Sequence, residues 1–153
     1  MSTAYIGIGS NLGNREENCF HAIELLEKKG IKIKKKSSLY ETEPWGIKQQ
    51  PIFLNMAVEI ETELEPDKLL RLLKDIEKKL GRKNTLKWGP RIIDLDILIF
   101  DDIILNKKDL KIPHPLMHKR GFVLKPLNEI APKINHPLLN RSIAELVQQF
   151  YRK

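Results

Sequence analysis

Cysteine is almost missing from this chain of 153 residues: Cys19 stands alone. It has no intramolecular partner for a disulfide, and a cysteine-based zinc site is excluded with it. Arginine is scarce as well, with 7 residues against 20 lysines. Each arginine is therefore worth locating, because its planar fork does what a lysine cannot. Long apolar runs are absent, and none approaches the roughly 20 residues a membrane span requires. The opening MSTAYIGIGSNLG has neither the basic start nor the small-residue cleavage site of a secretory signal, so a cytoplasmic protein is expected. Repeats, low-complexity tracts and linkers are lacking too, which leads us to expect one domain over residues 1–153. What remains is 41% hydrophobic and 31% charged, the balance of an ordinary globular chain. Its net charge of +7 asks for an anionic partner without saying whether that is nucleic acid, a phosphate metabolite or a membrane.

The hydrophobic patterning gives an order of elements. Thr3 to Gly9 reads as a buried first strand, and Asn14 with Glu17 as the cap of a helix bearing Cys19, Ala22, Ile23 and Leu26, stopped by Gly30. Ile31 to Thr42 reads as a lysine-studded strand near an edge. Two prolines and a glycine make 43–51 a loop. Ile52 to Thr62 alternates, with Ile52, Leu54, Met56, Val58 and Ile60 on one face and Phe53, Asn55, Ala57 and Glu59 on the other. Pro66 opens a second helix with the stripe Leu69, Leu73, Ile76 and Leu80, ended by Gly81. After a polar loop, Arg91 to Phe100 is the fourth strand. This β-α-β-β-α-β order predicts an α+β fold with a ferredoxin-like core. The last third, with a short strand near Leu110 to Ile112, a helical stretch from about Leu116 to Ile130 and a helix capped by Ser142 with Glu145, forms a C-terminal extension expected to cover the sheet.

Three constellations carry chemistry. In Trp88-Gly89-Pro90-Arg91-Ile92-Ile93-Asp94-Leu95-Asp96, the two aspartates are two apart on a strand and project from one face. Two carboxylates side by side repel, a conflict that a divalent cation resolves; oxygen-only ligands at this spacing suit magnesium with water and substrate phosphates. Two solvated acids on an open sheet face are the plain alternative. Arg91, directly before the pair, and Arg82, at the start of the same loop, complete the parts used in phosphoryl transfer. Further on, His114 between Pro113 and Pro115, and Arg120 before Gly121-Phe122, suit phosphate oxygens. No third ligand turns His114 and His118 into a zinc site, and His21 and His136 read as structural. Finally, Phe53 and Asn55 lie opposite a core stripe, with Phe122 and Trp45 as further rings. A flat heteroaromatic ligand stacked between rings and read by an amide fits them, as does simple packing under the extension.

In this order the residues resemble the 6-hydroxymethyl-7,8-dihydropterin pyrophosphokinases of folate synthesis. The resemblance runs through Gly9-Ser10-Asn11-Leu12, Thr42, Pro44-Trp45-Gly46, Phe53-Leu54-Asn55, Gly81-Arg82, the Trp88 to Asp96 string, Pro113-His114, Arg120-Gly121-Phe122 and Glu129-Ile130-Ala131-Pro132. It implies diphosphate transfer from ATP to the hydroxymethyl oxygen of a reduced pterin, with AMP released. Asp94 and Asp96 would hold two magnesium ions. Arg82 and Arg91 would be catalytic, closing over the β- and γ-phosphates. On the ATP side stand His114 and Arg120 for the triphosphate, Ile97, Leu110 and Ile112 for adenine, and Glu77 and Trp88 at matching positions. Thr42, Pro44, Trp45, Phe53, Asn55 and Phe122 would bind the pterin, the two phenylalanines by stacking. Phe53 replaces a tyrosine common in the family, and Glu43 a frequent proline, while Lys83 and Asn84 fall where the loop is shorter and take no role. The partners implied are small molecules, with no nucleic acid and no membrane, acting on a monomer. An RNA-binding module of similar element order would need aromatics on its first and third strands. Here only Phe53 faces the right way. A magnesium nuclease or nucleotidyltransferase shares the two aspartates but does not call for the set Thr42, Phe53, Asn55 and Phe122.

Overall fold

In the computed structural model, which describes residues 1–42, 51–82 and 92–152, the alternation of TAYIGIG places β1 (Ser2–Ser10) in the middle of a sheet. Its neighbours are β4 (Phe53–Thr62) and β5 (Asp94–Phe100), both antiparallel to it. The lysine-rich β2 (Lys32–Lys36) lies outside β4, giving the order β2-β4-β1-β5, and β3 (Tyr40–Thr42) pairs with the other end of β4. Expectation and structure part at Ser37. The strand expected over Ile31 to Thr42 is two strands, because Ser37 turns its side chain inward. Its Oγ accepts the Ala57 N–H at 2.9 Å while its own N–H donates to the Ala57 carbonyl at 2.9 Å.

Each face of the sheet is covered by helices. On one side α1 (Arg15–Lys28) and α2 (Pro66–Lys79) bury Cys19, Ala22, Leu26, Leu69, Leu73 and Ile76 against Ile6, Ile8, Met56, Val58, Ile60, Ile93, Leu95 and Ile97. Asn14 caps α1 by accepting the Glu17 N–H, Pro66 opens α2, and Gly30 and Gly81 follow the two helices with positive φ. The expected stripe on β4 begins later than its alternation indicates, since Ile52 is 42% exposed. Burial of Cys19 pushes its thiol up to about 12, which makes it an inert core residue.

The C-terminal third is divided: its first hairpin joins the α1–α2 core through Leu110 and Ile112, and the remainder covers the other side. Leu110 to Ile112 contributes β7 (Lys111–Ile112), which pairs with an unanticipated β6 (Leu105–Asn106). The single helical stretch expected from Leu116 to Ile130 is broken at Arg120 into a 3-10 turn, Met117–Lys119, and α3 (Gly121–Ile130). A small hairpin of β8 (Asn135–His136) and β9 (Arg141–Ser142) then leads into α4 (Ile143–Tyr151), where Ser142 and Glu145 form a reciprocal capping box. Leu124, Leu127, Ile143 and Leu146 pack there with Tyr5, Ala57 and Leu98. Among the described residues no helix is long and apolar enough to cross a membrane.

Candidate active site

Register brings the polar residues of three strands into one row. Gly9 of β1 faces Asn55 of β4 on one flank and Asp94 of β5 on the other, and Gly7 faces Ala57 and Asp96. The centre strand therefore contributes no side chain between them. Leu98 leans over Gly7, with its Cδ2 3.4 Å from where a Cβ would stand. Over Gly9 the space is taken by the Asn55 amide: a Cβ there would lie 2.5 Å from Asn55 Oδ1.

On the acidic flank, Asp94 and Asp96 share a face, as their spacing requires, while Ile93, Leu95 and Ile97 enter the core. Glu77 reaches this point from α2. It is almost wholly buried, and its Oε2 accepts the Leu95 N–H at 2.8 Å and Arg82 Nη1 at 2.6 Å, with Lys74 Nζ 3.8 Å from Oε1. Arg82 also donates to Asp94 Oδ1 at 3.1 Å. Three carboxylates thus stand together, and desolvation raises the pKa of both Glu77 and Asp96. Asp94 and Glu77 add to the rise at Asp96; the Leu95 N–H and Arg82 oppose it at Glu77. Surplus negative charge on a desolvated, oxygen-only pair is what a magnesium ion relieves, with water and substrate oxygens completing its shell. Among the described residues no three His, Cys, Asp or Glu side chains, this trio included, converge so as to hold a metal ion, and Asp94 with Asp96 fits a metal shared with substrate.

Beyond Asp96 a cleft of about 350 Å³ opens between α2 and the β6–β7 segment, lined by Leu70, Lys74, Ile97, Leu110, Lys111 and His114 among others. Ile97 and Leu110 are at this cleft, while Ile112, 1% exposed, packs in the core behind it. The amide of His114 is fixed on the Leu98 carbonyl at 2.9 Å, and its Nδ1 accepts the Leu116 N–H at 3.3 Å. A neutral ring then carries its proton on Nε2. Burial, aided by Arg120 and opposed by Asp94, lowers its pKa to about 4. Arg120 is buried and its guanidinium carbon lies 5.5 Å from the Phe122 ring centroid, a cation–π approach.

On the other flank Asn55 Nδ2 donates to Thr42 Oγ1, and Phe53 is in register with Thr42. Phe122 begins α3, the helix that covers this face of β4. Pro44, Trp45, Trp88 and Arg91 lie outside the described residues. Two participants escaped the sequence, Lys74, one lysine among many, and the Leu95 N–H, while Gly9 stands out only as part of a motif, since it offers no functional group. The helical offset of Lys74 and Glu77 is the only signal that pointed to them.

The family model of 7,8-dihydro-6-hydroxymethylpterin-pyrophosphokinase matches residues 5–132. The chain is 44% identical over 145 residues to the 2-amino-4-hydroxy-6-hydroxymethyldihydropteridine pyrophosphokinase of Aquifex aeolicus, covering 95% of this chain and 90% of that protein. To the Bacillus subtilis protein of the same name it is 48% identical over 132 residues, 86% of this chain and 79% of the other. Among solved structures, wild-type HPPK-DHPS of Plasmodium falciparum superposes with a TM-score of 0.75 at 20% identity, which speaks for the fold alone. The match takes in 97% of this chain but only 44% of that longer one. From within β1 to just past α3, then, sequence and fold agree, and the chain belongs to the 7,8-dihydro-6-hydroxymethylpterin-pyrophosphokinase family.

Proposed function

We propose that the row Asn55–Gly9–Asp94 is the seam between a pterin site and an ATP site, with each residue in a definite role. The reaction is that of the family: diphosphate passes from ATP to the hydroxymethyl group of 6-hydroxymethyl-7,8-dihydropterin in folate synthesis. Asp94 and Asp96 would hold magnesium, which when bound neutralises triphosphate oxygens. His114, neutral and with its proton on Nε2, donates a hydrogen bond to the triphosphate, and Arg120 adds charge beside it. Ile97 and Leu110 form the apolar wall for adenine. Thr42 and Asn55, already bonded to one another, present a fixed polar edge to the pterin, while Phe53 and Phe122 supply ring faces.

Arg82 is held on Glu77 and Asp94. Its role requires that it exchange these carboxylates for phosphate oxygens, and Arg91 joins it there. Because the attacking alcohol is uncharged and the phosphorus highly anionic, positioning and charge neutralisation do most of the work. Pro44 and Trp45 complete the pterin side and Trp88 the ATP side. The strand order supports a ferredoxin-like core, and the sheet shared by both helix layers supports one domain, which we take to act as a cytoplasmic monomer.

The observation that carries the reading is the meeting of Asp94, Asp96, Glu77 and Arg82 one strand away from the Asn55–Thr42 pair. Asp96→Ala tests it: AMP formation from ATP and the pterin should fall by about 10³-fold or more, with the circular dichroism of the parent retained. Activity within tenfold of the parent would sink the assignment.

A further inference from the structure

The first turn of α3 carries Phe122 and follows directly on Arg120, yet it has little of its own to hold it in place. It opens on Gly121, the N-cap residue Arg120 makes no side-chain capping bond, and no acidic residue lies in the turn to meet the helix dipole. Pro126, inside the same helix, has no N–H, so the carbonyl of Phe122 four residues earlier receives no ladder bond from it. A turn so built depends on outside packing.

Leu124 supplies part of that packing from the core side, and the exposed side is packed by the far end of the chain. A Cβ on Gly121 would lie 2.7 Å from Tyr151 Oη and 2.9 Å from Phe150 Cε1, so the end of α4 closes on the backbone of α3, and a methyl there would push the two rings aside. The two rings brace one another edge to face, centroids 4.8 Å apart and planes at 77°. Lys125 Nζ, one turn beyond Gly121, stands 4.9 Å from the centre of the Tyr151 ring. The other end of α4 is anchored by its capping box, by buried Ile143 and Leu146, and by the Ala144 N–H on the Pro132 carbonyl at 3.0 Å.

We propose that Phe150 and Tyr151 are positioning residues that hold the start of α3, and with it Phe122, in register with the sheet. Both lie beyond residue 132, where the family match ends. The two rings are 40% and 47% exposed, so their removal takes little from the core while freeing the turn they press on. The kinetic consequence of the brace rests on the proposed pterin and ATP sites; its structural consequence does not.

The test uses the full chain with Phe150→Ala/Tyr151→Ala. Hydrogen–deuterium exchange of the amides of residues 122–125 should speed up by about tenfold or more, while the β1 and β5 amides stay protected. The pterin KM should rise by about tenfold with the ATP KM within about twofold. Gly121→Ala should raise the pterin KM in the parent but not further in the double variant, because the atoms its methyl strikes are then gone. Unchanged exchange at 122–125 overturns the proposal, as does a Gly121→Ala effect that simply adds to that of the double variant. A parent that forms no AMP from ATP and the pterin refutes the proposed reaction and leaves the exchange measurement to decide on the brace.

Discussion

Gly9 carries no functional group, yet the site closes around it. The space its missing Cβ would fill holds Asn55 Oδ1, 2.5 Å from that position, and Asn55 is held from the far side by Thr42. Gly9→Ala must therefore displace the amide or bend β1. We expect the pterin KM to rise by about tenfold with the ATP KM little changed, measured by steady-state AMP formation; equal loss on both substrates would show that the strand itself had failed. Residues such as Asp94, Asp96 and Asn55 were legible in the sequence because strand alternation fixes which side chains share a face, and because acids or amides on such a face ask for a reason. Gly9 was legible only as part of a motif, since its role is to be empty. Glu77 was visible as a carboxylate on the rim of an apolar stripe, but its bond to the Leu95 N–H depends on how α2 crosses β5, which spacing along one helix does not encode.

Between elements, the clearest case is the link from α3 to the segment joining β2 and β3. Glu129 accepts from the Tyr40 hydroxyl at 2.7 Å, from the Ser38 N–H at 3.0 Å and from Ser38 Oγ at 3.2 Å. Hydrogen bonding, first from Tyr40 and then from Ser38, holds its carboxyl below the usual range. A depressed pKa means stabilisation that is present at neutral pH and fades as pH falls through that lowered value. Glu129→Ala should cost about 1 kcal/mol at pH 7, read from urea unfolding, and the deficit should shrink in acid; a deficit that is constant with pH would contradict its origin in hydrogen bonds to the ionised carboxylate. The same region shows why the expected single strand over 31–42 became two. Alternation marks extended backbone but is silent on a serine that bonds the neighbouring strand through its own side chain. Helix ends were easier, because Asn14, Pro66, Gly30, Gly81 and Ser142 act locally. The break at Arg120 was not, since Gly121 and Pro126 weaken a helix over Leu116 to Ile130 without saying where it breaks, which is set where the C-terminal layer meets the sheet.

For the whole molecule, acid sensitivity follows from buried and half-buried imidazoles. His114 is held neutral, its pKa lowered to about 4 by burial and Arg120, and burial lowers that of His136 as well. An unfolded chain binds these protons at ordinary values near 6.5, so stability is intact above that pH and declines as pH falls towards 4, where the folded His114 at last accepts its proton. The His114 contribution to that decline is about 3 kcal/mol at most. Urea unfolding between pH 7 and pH 4.5 should show the slope, and His114→Gln should flatten it; a parent with level stability over this range would rule it out. The net charge of +7, by contrast, announced an anion without locating it: the residues around the seam include three acids, and the informative cations were Arg82 and Arg120. One further consequence lies in β1 itself. Asn55 and Asp94 are both in register with Gly9, so their backbones stand two strand spacings apart, about 9.6 Å, whatever rotamers the side chains take. With the pterin on Asn55 and ATP on Asp94, as proposed, the sheet would work as a caliper, its jaws set by backbone, that gauges how far an alcohol stands out from its ring. An acceptor with one more methylene between ring and hydroxyl would bind by its ring and overreach the phosphate, and would occupy the site without reacting.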